Sequence, residues 1–319
     1  MVLVSHRWHA PPIDGVRLEL DRAVFPGWVL RRALVHGVVQ DERLTTATLG
    51  RGAPAGRSRL LVTLAGRTTV FARGSDGLEA PVAIDVPPGH AVVIRDLGAV
   101  ELRSEPGCAF EIDWDPASVV ADGSVADLDA GPLGATARSA VDALCSALRA
   151  GRPTDRSAIL AAASRLVGAL DAEGLPLSAR GVDEERASLE AQLAGPAASG
   201  DDDLQRLCDA FDAELEALDR GPALVTIEGR LGWSRRTVAR RARDASDRYG
   251  ISALSGEDWR SARDFYRLLL GTIFASHEAA TTNRLAVLLG YSSPAALCHA
   301  FARAGLASPV RLGERARRA

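Results

Sequence analysis

The chain has 319 residues, of which 47% are hydrophobic and 25% charged, and a formal net charge of −3. That length admits two or three compact domains, each with its own core, and a composition this apolar excludes a chain disordered throughout. No run approaches about eighteen consecutive apolar residues, and the opening MVLVSHRW lacks the basic start and apolar stretch of a signal peptide. Neither membrane insertion nor export is expected, and a cytoplasmic location follows by default.

The small net charge conceals an asymmetry. Residues 1–114 carry 13 Arg and 13 acids, residues 115–221 carry 9 and 20, and residues 222–319 carry 16 and 8, leaving the three segments at 0, −11 and +8. All 38 basic residues are Arg, whose planar fork suits phosphate and guanine edges. Cys108, Cys145, Cys208 and Cys298 lie far apart without a C-x-x-C pair, so neither a disulfide framework nor a thiolate zinc site is expected.

Residues 16–114 show short apolar runs punctuated by Gly, Pro and Asp, the rhythm of a β sandwich or barrel. RLLVTL at 59–64, Ala65-Gly66 and RTTVF at 67–71 predict a hairpin. VAIDV at 82–86, Pro87-Pro88-Gly89 and AVVI at 91–94 predict two strands about a turn, with further strands near 99–103 and 108–114. Trp28, His36, Phe71 and Trp114 are candidates for lining an effector pocket, set against the plainer reading that an aromatic in a small β domain belongs to its core. His36 and His90 are single. No His-x-His pair with a downstream Glu and His is present, so no metal or other cofactor is expected.

Residues 133–193 turn Ala-rich and acidic, broken by Gly and Pro into helices. Residues 201–220 form an amphipathic helix with Leu204, Leu207, Cys208, Phe211, Leu215 and Leu218 on one face. Asp201, Asp202 and Asp203 stand at its positive end, a reading preferred to a metal site, and Gly221-Pro222 ends it.

The segment LVTIEGRLGWSRRTVARRA, residues 224–242, reads as a helix-turn-helix. Gly232 permits the tight turn, Ser234 caps the second helix, and Val238 and Ala242 face inward while Arg235, Arg236, Arg240 and Arg243 remain outside. An Arg-rich exposed helix suits the major groove of DNA. The arrangement recurs in NRLAVLLGYSSPAALCHAFAR, residues 283–303, where Gly290 matches Gly232, Tyr291 matches Trp233, Ser293 matches Ser234 and Leu297 matches Val238. Between the two, residues 257–274 predict a connecting helix with Trp259, Ala262, Tyr266, Leu269, Leu270 and Ile273 on one face.

The motifs LGWSRRTVARR (231–241) and LGYSSPAALCHAF (289–301), followed by Ser308-Pro309, resemble the DNA-binding domain of AraC/XylS regulators over roughly residues 201–318. The resemblance implies two helix-turn-helix units joined by a long helix, with 201–220 as the first helix of the domain. It places base-reading side chains at Arg236, Ala239 and Arg240. In the second unit the positions that usually read bases are Pro294, Ala295 and Ala296, leaving His299 as the main polar candidate and Arg303 at the helix end. Residues 249–256 read as an insertion in the spacer. The N-terminal part resembles the cupin-like sensing domains of such regulators.

The expected architecture is multidomain α+β: a cupin-like β-barrel sensing domain at 1–116, a helical linker or dimerisation region at 117–200, and an all-α double helix-turn-helix domain at 201–319. The expected function is a sequence-specific transcriptional regulator, not an enzyme. Its expected partners are promoter DNA, a second copy of itself, a small-molecule effector and RNA polymerase. The rival readings are a metal-independent cupin enzyme with a helical appendage and a protein-interaction anti-regulator that has lost DNA binding.

Overall fold

The computed structural model describes residues 2–9, 13, 15–25, 28–44, 57–72, 82–95, 97, 100–114, 128–150, 156–175, 201–221, 223–249 and 259–318. The N-terminal part builds two antiparallel sheets. The larger has seven strands, β1 (Val2–His9), β2 (Arg17–Phe25), β3 (Trp28–His36), β5 (Ser58–Ala65), β8 (His90–Ile94), β10 (Gly107–Trp114) and β11 (Leu128–Pro132), in the order β1-β2-β3-β10-β5-β8-β11. The smaller runs β4 (Gln40–Asp41), β9 (Val100–Ser104), β6 (Thr68–Ala72), β7 (Val82–Val86). Two helices, α1 (Ala135–Ala150) and α2 (Arg156–Ala172), complete this part.

The predicted hairpin at 59–71 does not form. Strand β5 is already paired on both edges, with β10 and β8, and its run of six buried residues from Ser58 shows both faces covered. A strand saturated on both edges has no place for a third neighbour, so the chain at 65–67 turns a corner and β6 joins the other sheet between β7 and β9. The segment 87–89 likewise carries the chain from β7 in one sheet to β8 in the other. Among the described residues the two sheets remain separate and open, so the expected closed cupin barrel is corrected to an open pair of sheets. The physical reason is that β1, β2 and β3 extend the large sheet beyond the small one, and that β2 and β3 bury Leu18, Val24, Val29 and Val35 against the C-terminal helices on one face and Phe25, Trp28 and Leu30 under α1 and α2 on the other.

Three cores follow. Leu61, Val92 and Ile94 of the large sheet meet Val70, Val86, Val100 and Leu102 of the small one. On the opposite face, Phe25, Trp28, Leu60, Phe110 and Trp114 pack under Leu144, Leu148, Leu166 and Leu170 of α1 and α2. The third core joins Val16, Leu18, Val24, Val29 and Val35 to the C-terminal helices, so the first three strands serve as a seat for the rest of the chain.

That C-terminal part comprises α3 (Asp201–Glu216), α4 (Leu224–Leu231), α5 (Arg235–Tyr249), α6 (Trp259–Ala275), α7 (Thr282–Leu288), α8 (Pro294–Arg303) and α9 (Pro309–Arg318). All six apolar positions expected of the 201–220 helix are buried, Leu204 through Leu215 in α3 and Leu218 in the 3-10 turn Leu218–Arg220 that follows it. Helix α6 buries Trp259, Ala262, Tyr266, Leu270 and Ile273, with Leu269 half-buried, as its periodicity predicts. Trp259 meets Phe211 of α3 edge-on, ring centroids 4.9 Å apart, and Gly271 passes beneath Phe301 of α8 with room for no side chain: an added Cβ would stand 2.9 Å from the Phe301 ring. The expected spacer insertion falls outside the described residues except for Tyr249.

Candidate nucleic-acid interface

Helix α4 ends at Gly232, which adopts φ +69° and returns its N–H to the Glu228 carbonyl. A residue with a Cβ is strained there, which is the reason for Gly at that turn. The Ser234 hydroxyl then accepts the Thr237 N–H at 3.3 Å and starts α5. In α5, Val238, Ala242 and Ala245 form the buried stripe. Arg236, Arg240 and Arg243, at i, i+4 and i+7, project from the opposite side, with Arg235 exposed beside them and Ala239 half-buried. Among the described residues none of these four arginines is in an ion pair. Arg241 does something different: it bonds Asp203 of α3 at 3.1 Å and fastens α5 to the domain.

The second unit repeats the construction. Thr281 caps α7 by accepting the Arg284 N–H, Gly290 turns at φ +66°, and Ser293 caps α8 by accepting the Ala296 N–H at 3.1 Å, with Pro294 in the first turn. Leu297, Ala300 and Phe301 are buried; Ala295, His299 and Arg303 are exposed and Ala296 half-buried. Thus every candidate residue of the two units lies on or beside the exposed side of its second helix, but only α5 brings several charges together.

The structure extends the repeat to three helices per unit. Arg206 of α3 donates to the Leu231 carbonyl at 3.2 Å and lies 5.6 Å from the Trp233 ring centre. Arg267 of α6 donates to the Gly290 carbonyl at 3.1 Å and lies 5.2 Å from the Tyr291 ring centre. An arginine on the first helix therefore clamps the turn of each unit, a correspondence hidden in the sequence because the two arginines fall outside the helix-turn-helix motifs. The second clamp is buried, and burial together with Arg263 lowers the Arg267 pKa. A further basic row that sequence reading passed over, Arg311, Arg315 and Arg318 at i, i+4 and i+7, is exposed on α9.

The four candidates for an effector pocket are not brought together. Trp28 and Trp114 stack at 5.7 Å in the core under α1 and α2. Phe71 lies on the small sheet beneath the Arg43 guanidinium at 4.0 Å, and His36 is exposed at the end of β3. The interior between the sheets is polar at its β3-β10 end. There Arg31 and Arg59 bond Asp113 at 2.6 Å each and reach Glu111 at 3.1 and 3.4 Å. Burial works against the Asp113 carboxylate, but the two arginines outweigh it and hold its pKa below the usual range. Among the described residues no group of three His, Cys, Asp or Glu is placed to hold a metal ion, no helix is long and apolar enough to cross a membrane, and the four cysteines are unpaired.

No protein-family profile matches the chain, and no curated protein matches it in sequence. Among solved structures, ToxT from Vibrio cholerae aligns over 94% of this chain and 98% of its own, at 8% identity and a TM-score of 0.31. The AraC-like transcriptional activator CuxR aligns over 84% of each chain, at 19% identity and a TM-score of 0.28. Wild-type ToxT from Vibrio cholerae with a bound unsaturated fatty acid aligns over 91% and 96%, at 9% identity and a TM-score of 0.31. Superpositions this loose leave the functional reading to the chain's own geometry.

Proposed function

We propose that the protein is a sequence-specific, DNA-binding transcriptional regulator of the AraC/XylS type. Its residues 201–319 engage promoter DNA, residues 1–116 sense a small molecule or other signal, and residues 117–200 relay the signal or support a homodimer. RNA polymerase is the further partner this role implies. The observation that carries the reading is the pair of capped helix-turn-helix units in which α5 presents Arg236, Arg240 and Arg243 as one exposed stripe. Such a stripe neutralises phosphates and can make bidentate contacts to guanine. In the same reading Ser234, Arg235 and Ala239 complete the α5 contact, and Ser293, Ala295, Ala296, His299 and Arg303 form the α8 contact. A gel-shift series with duplex genomic fragments tests it. A shift at low salt that weakens steeply as salt rises, and is lost when Arg236→Ala and Arg240→Ala are combined, is the expected result. The absence of any shift, or a shift indifferent to both substitutions, would defeat the reading.

A further inference from the structure

Residues 38–43 form a short strap that belongs to three structures at once. Val38 is buried in the core shared by the first strands and the C-terminal helices. Strand β4 pairs with β9, Gln40 opposite Ser104 and Asp41 opposite Arg103, which makes the strap an edge of the small sheet. The residues then divide between two spaces. Gln40 and Glu42, with Thr68, Ser104 and Glu111, line a narrow cleft of about 30 Å³ between the sheets. Val39, Gln40 and Asp41 look the other way, onto Leu269 and Thr272 of α6 and Leu312 of α9. Gln40 is a wall of both.

The strap is fixed to both sides by hydrogen bonds. In the cleft, the Leu102 N–H donates to the Glu42 carboxyl at 3.1 Å. Asp41 is gripped by the Arg43 guanidinium at 2.6 and 2.9 Å, with Arg103 at 3.5 Å. On the helical side, the Val39 N–H donates to the buried Ser276 hydroxyl at 2.8 Å, and that hydroxyl donates in turn to the Ile273 carbonyl at 2.7 Å. One donor and one acceptor role of the hydroxyl are thereby filled. Arg317 of α9 donates to the carbonyls of Ala275, Ser276 and His277, so α9 and the strap hold the same end of α6.

We propose that this strap couples the inter-sheet cleft to the DNA-binding face, so that a change at Glu42 or Gln40 is transmitted through Val39 and Ser276 to the end of α6 and onward to the second helix-turn-helix unit. The proposal rests on the regulator reading for its consequence. From Ser276 the chain reaches the Thr281 cap of α7 directly. The second unit cannot slide freely in response, because Gly290 abuts the Leu218 carbonyl and the Arg267 guanidinium. Contacts this close exchange between discrete packings and do not stretch, which makes the spacing of the two units sensitive to the position of α6.

A double-mutant cycle on the full chain tests the coupling, using Glu42→Gln, Ser276→Ala and their combination, with affinity measured for a duplex that the parent protein binds. Glu42→Gln is expected to change that affinity on the order of fivefold, and the change is expected to fall below about twofold when Ser276 is already Ala. Fold-changes that multiply independently, or no effect of Glu42→Gln, overturn the proposal. Hydrogen exchange supplies a readout that needs neither DNA nor the Ser276 variant. Glu42→Gln should speed exchange in peptides covering 273–280 and 309–318 while leaving α1 and α2 unchanged, and unaltered exchange at 273–280 overturns the proposal equally. Failure of the parent chain to bind any duplex would defeat the regulator reading and leave the exchange result to decide the strap.

Discussion

The two helix-turn-helix units share a plan and differ in how tightly each is built into the protein. At the first turn an added Cβ on Gly232 would meet nothing within 4 Å, and the clamping Arg206 side chain is 54% exposed. At the second turn a Cβ on Gly290 would run into the Leu218 carbonyl, and the Arg267 side chain is only 9% exposed. The exposed faces differ in the opposite sense: α5 carries a row of arginines, whereas α8 offers Ala295, His299 and Arg303. Duplication of a shape therefore does not imply duplication of a task. On the proposed function, the loosely packed unit reads bases and the tightly packed one fixes the position of the pair.

The comparison can be broken first on the DNA side. Arg236→Ala and Arg240→Ala should each cost about 1–3 kcal/mol of specific binding, read from titrations on a selected duplex, while unfolding stability stays within about 0.5 kcal/mol of the parent. The turns come next. Gly290→Ala combines a left-handed backbone with a collision and should destabilise by about 3 kcal/mol or more, against about 1 kcal/mol for Gly232→Ala, where only the backbone resists. Denaturant unfolding of the two variants side by side measures the difference, and equal losses would contradict the asymmetry. The clamps sharpen it further: Arg267→Ala should cost about 2–3 kcal/mol and Arg206→Ala less than about 1 kcal/mol. Ser293→Ala, comparable to the smaller of these effects, should remove about 1 kcal/mol through the lost cap of α8, seen in the same unfolding experiment.

The C-terminal half was largely legible in the sequence because its signals are local. A periodic apolar stripe, a glycine at the turn and a serine before the next helix each act within a few residues, and α3, α4, α6 and both caps appear where those residues place them. In the N-terminal half β5 to β10 were legible strand by strand, whereas β1, β2, β3, β4 and β11 were not read individually and the assembly was not legible at all. Nothing in 59–71 tells a hairpin from a corner, because the distinction depends on β8 and β10 occupying both edges of β5. The same holds for the candidate site. Arg236 and Arg240 could be found from spacing, whereas Arg206 and Arg267 could not, since their partners are backbone carbonyls 25 and 23 residues away. Ser276 gave no signal at all, because its role depends on an N–H 237 residues distant.

The seat formed by β1, β2 and β3 also distinguishes this chain from one whose halves are merely tethered. Leu18, Val24 and Val35 share one core with Leu207, Phe211 and Tyr266, so the helices are positioned by the sheet. Large apolar seams of this kind restrict relative motion, which is the condition under which a strap can transmit a displacement instead of dissipating it.

The most direct measurement of the central claim is selection of preferred duplexes from a randomised pool by the parent chain, the Arg240→Ala variant and the His299→Ala variant. The account predicts that Arg240→Ala flattens the preference at the positions facing α5, while His299→Ala preserves the selected sequence and lowers affinity modestly. A preference that survives Arg240→Ala but changes with His299→Ala would contradict the assignment of reading to the first unit and anchoring to the second.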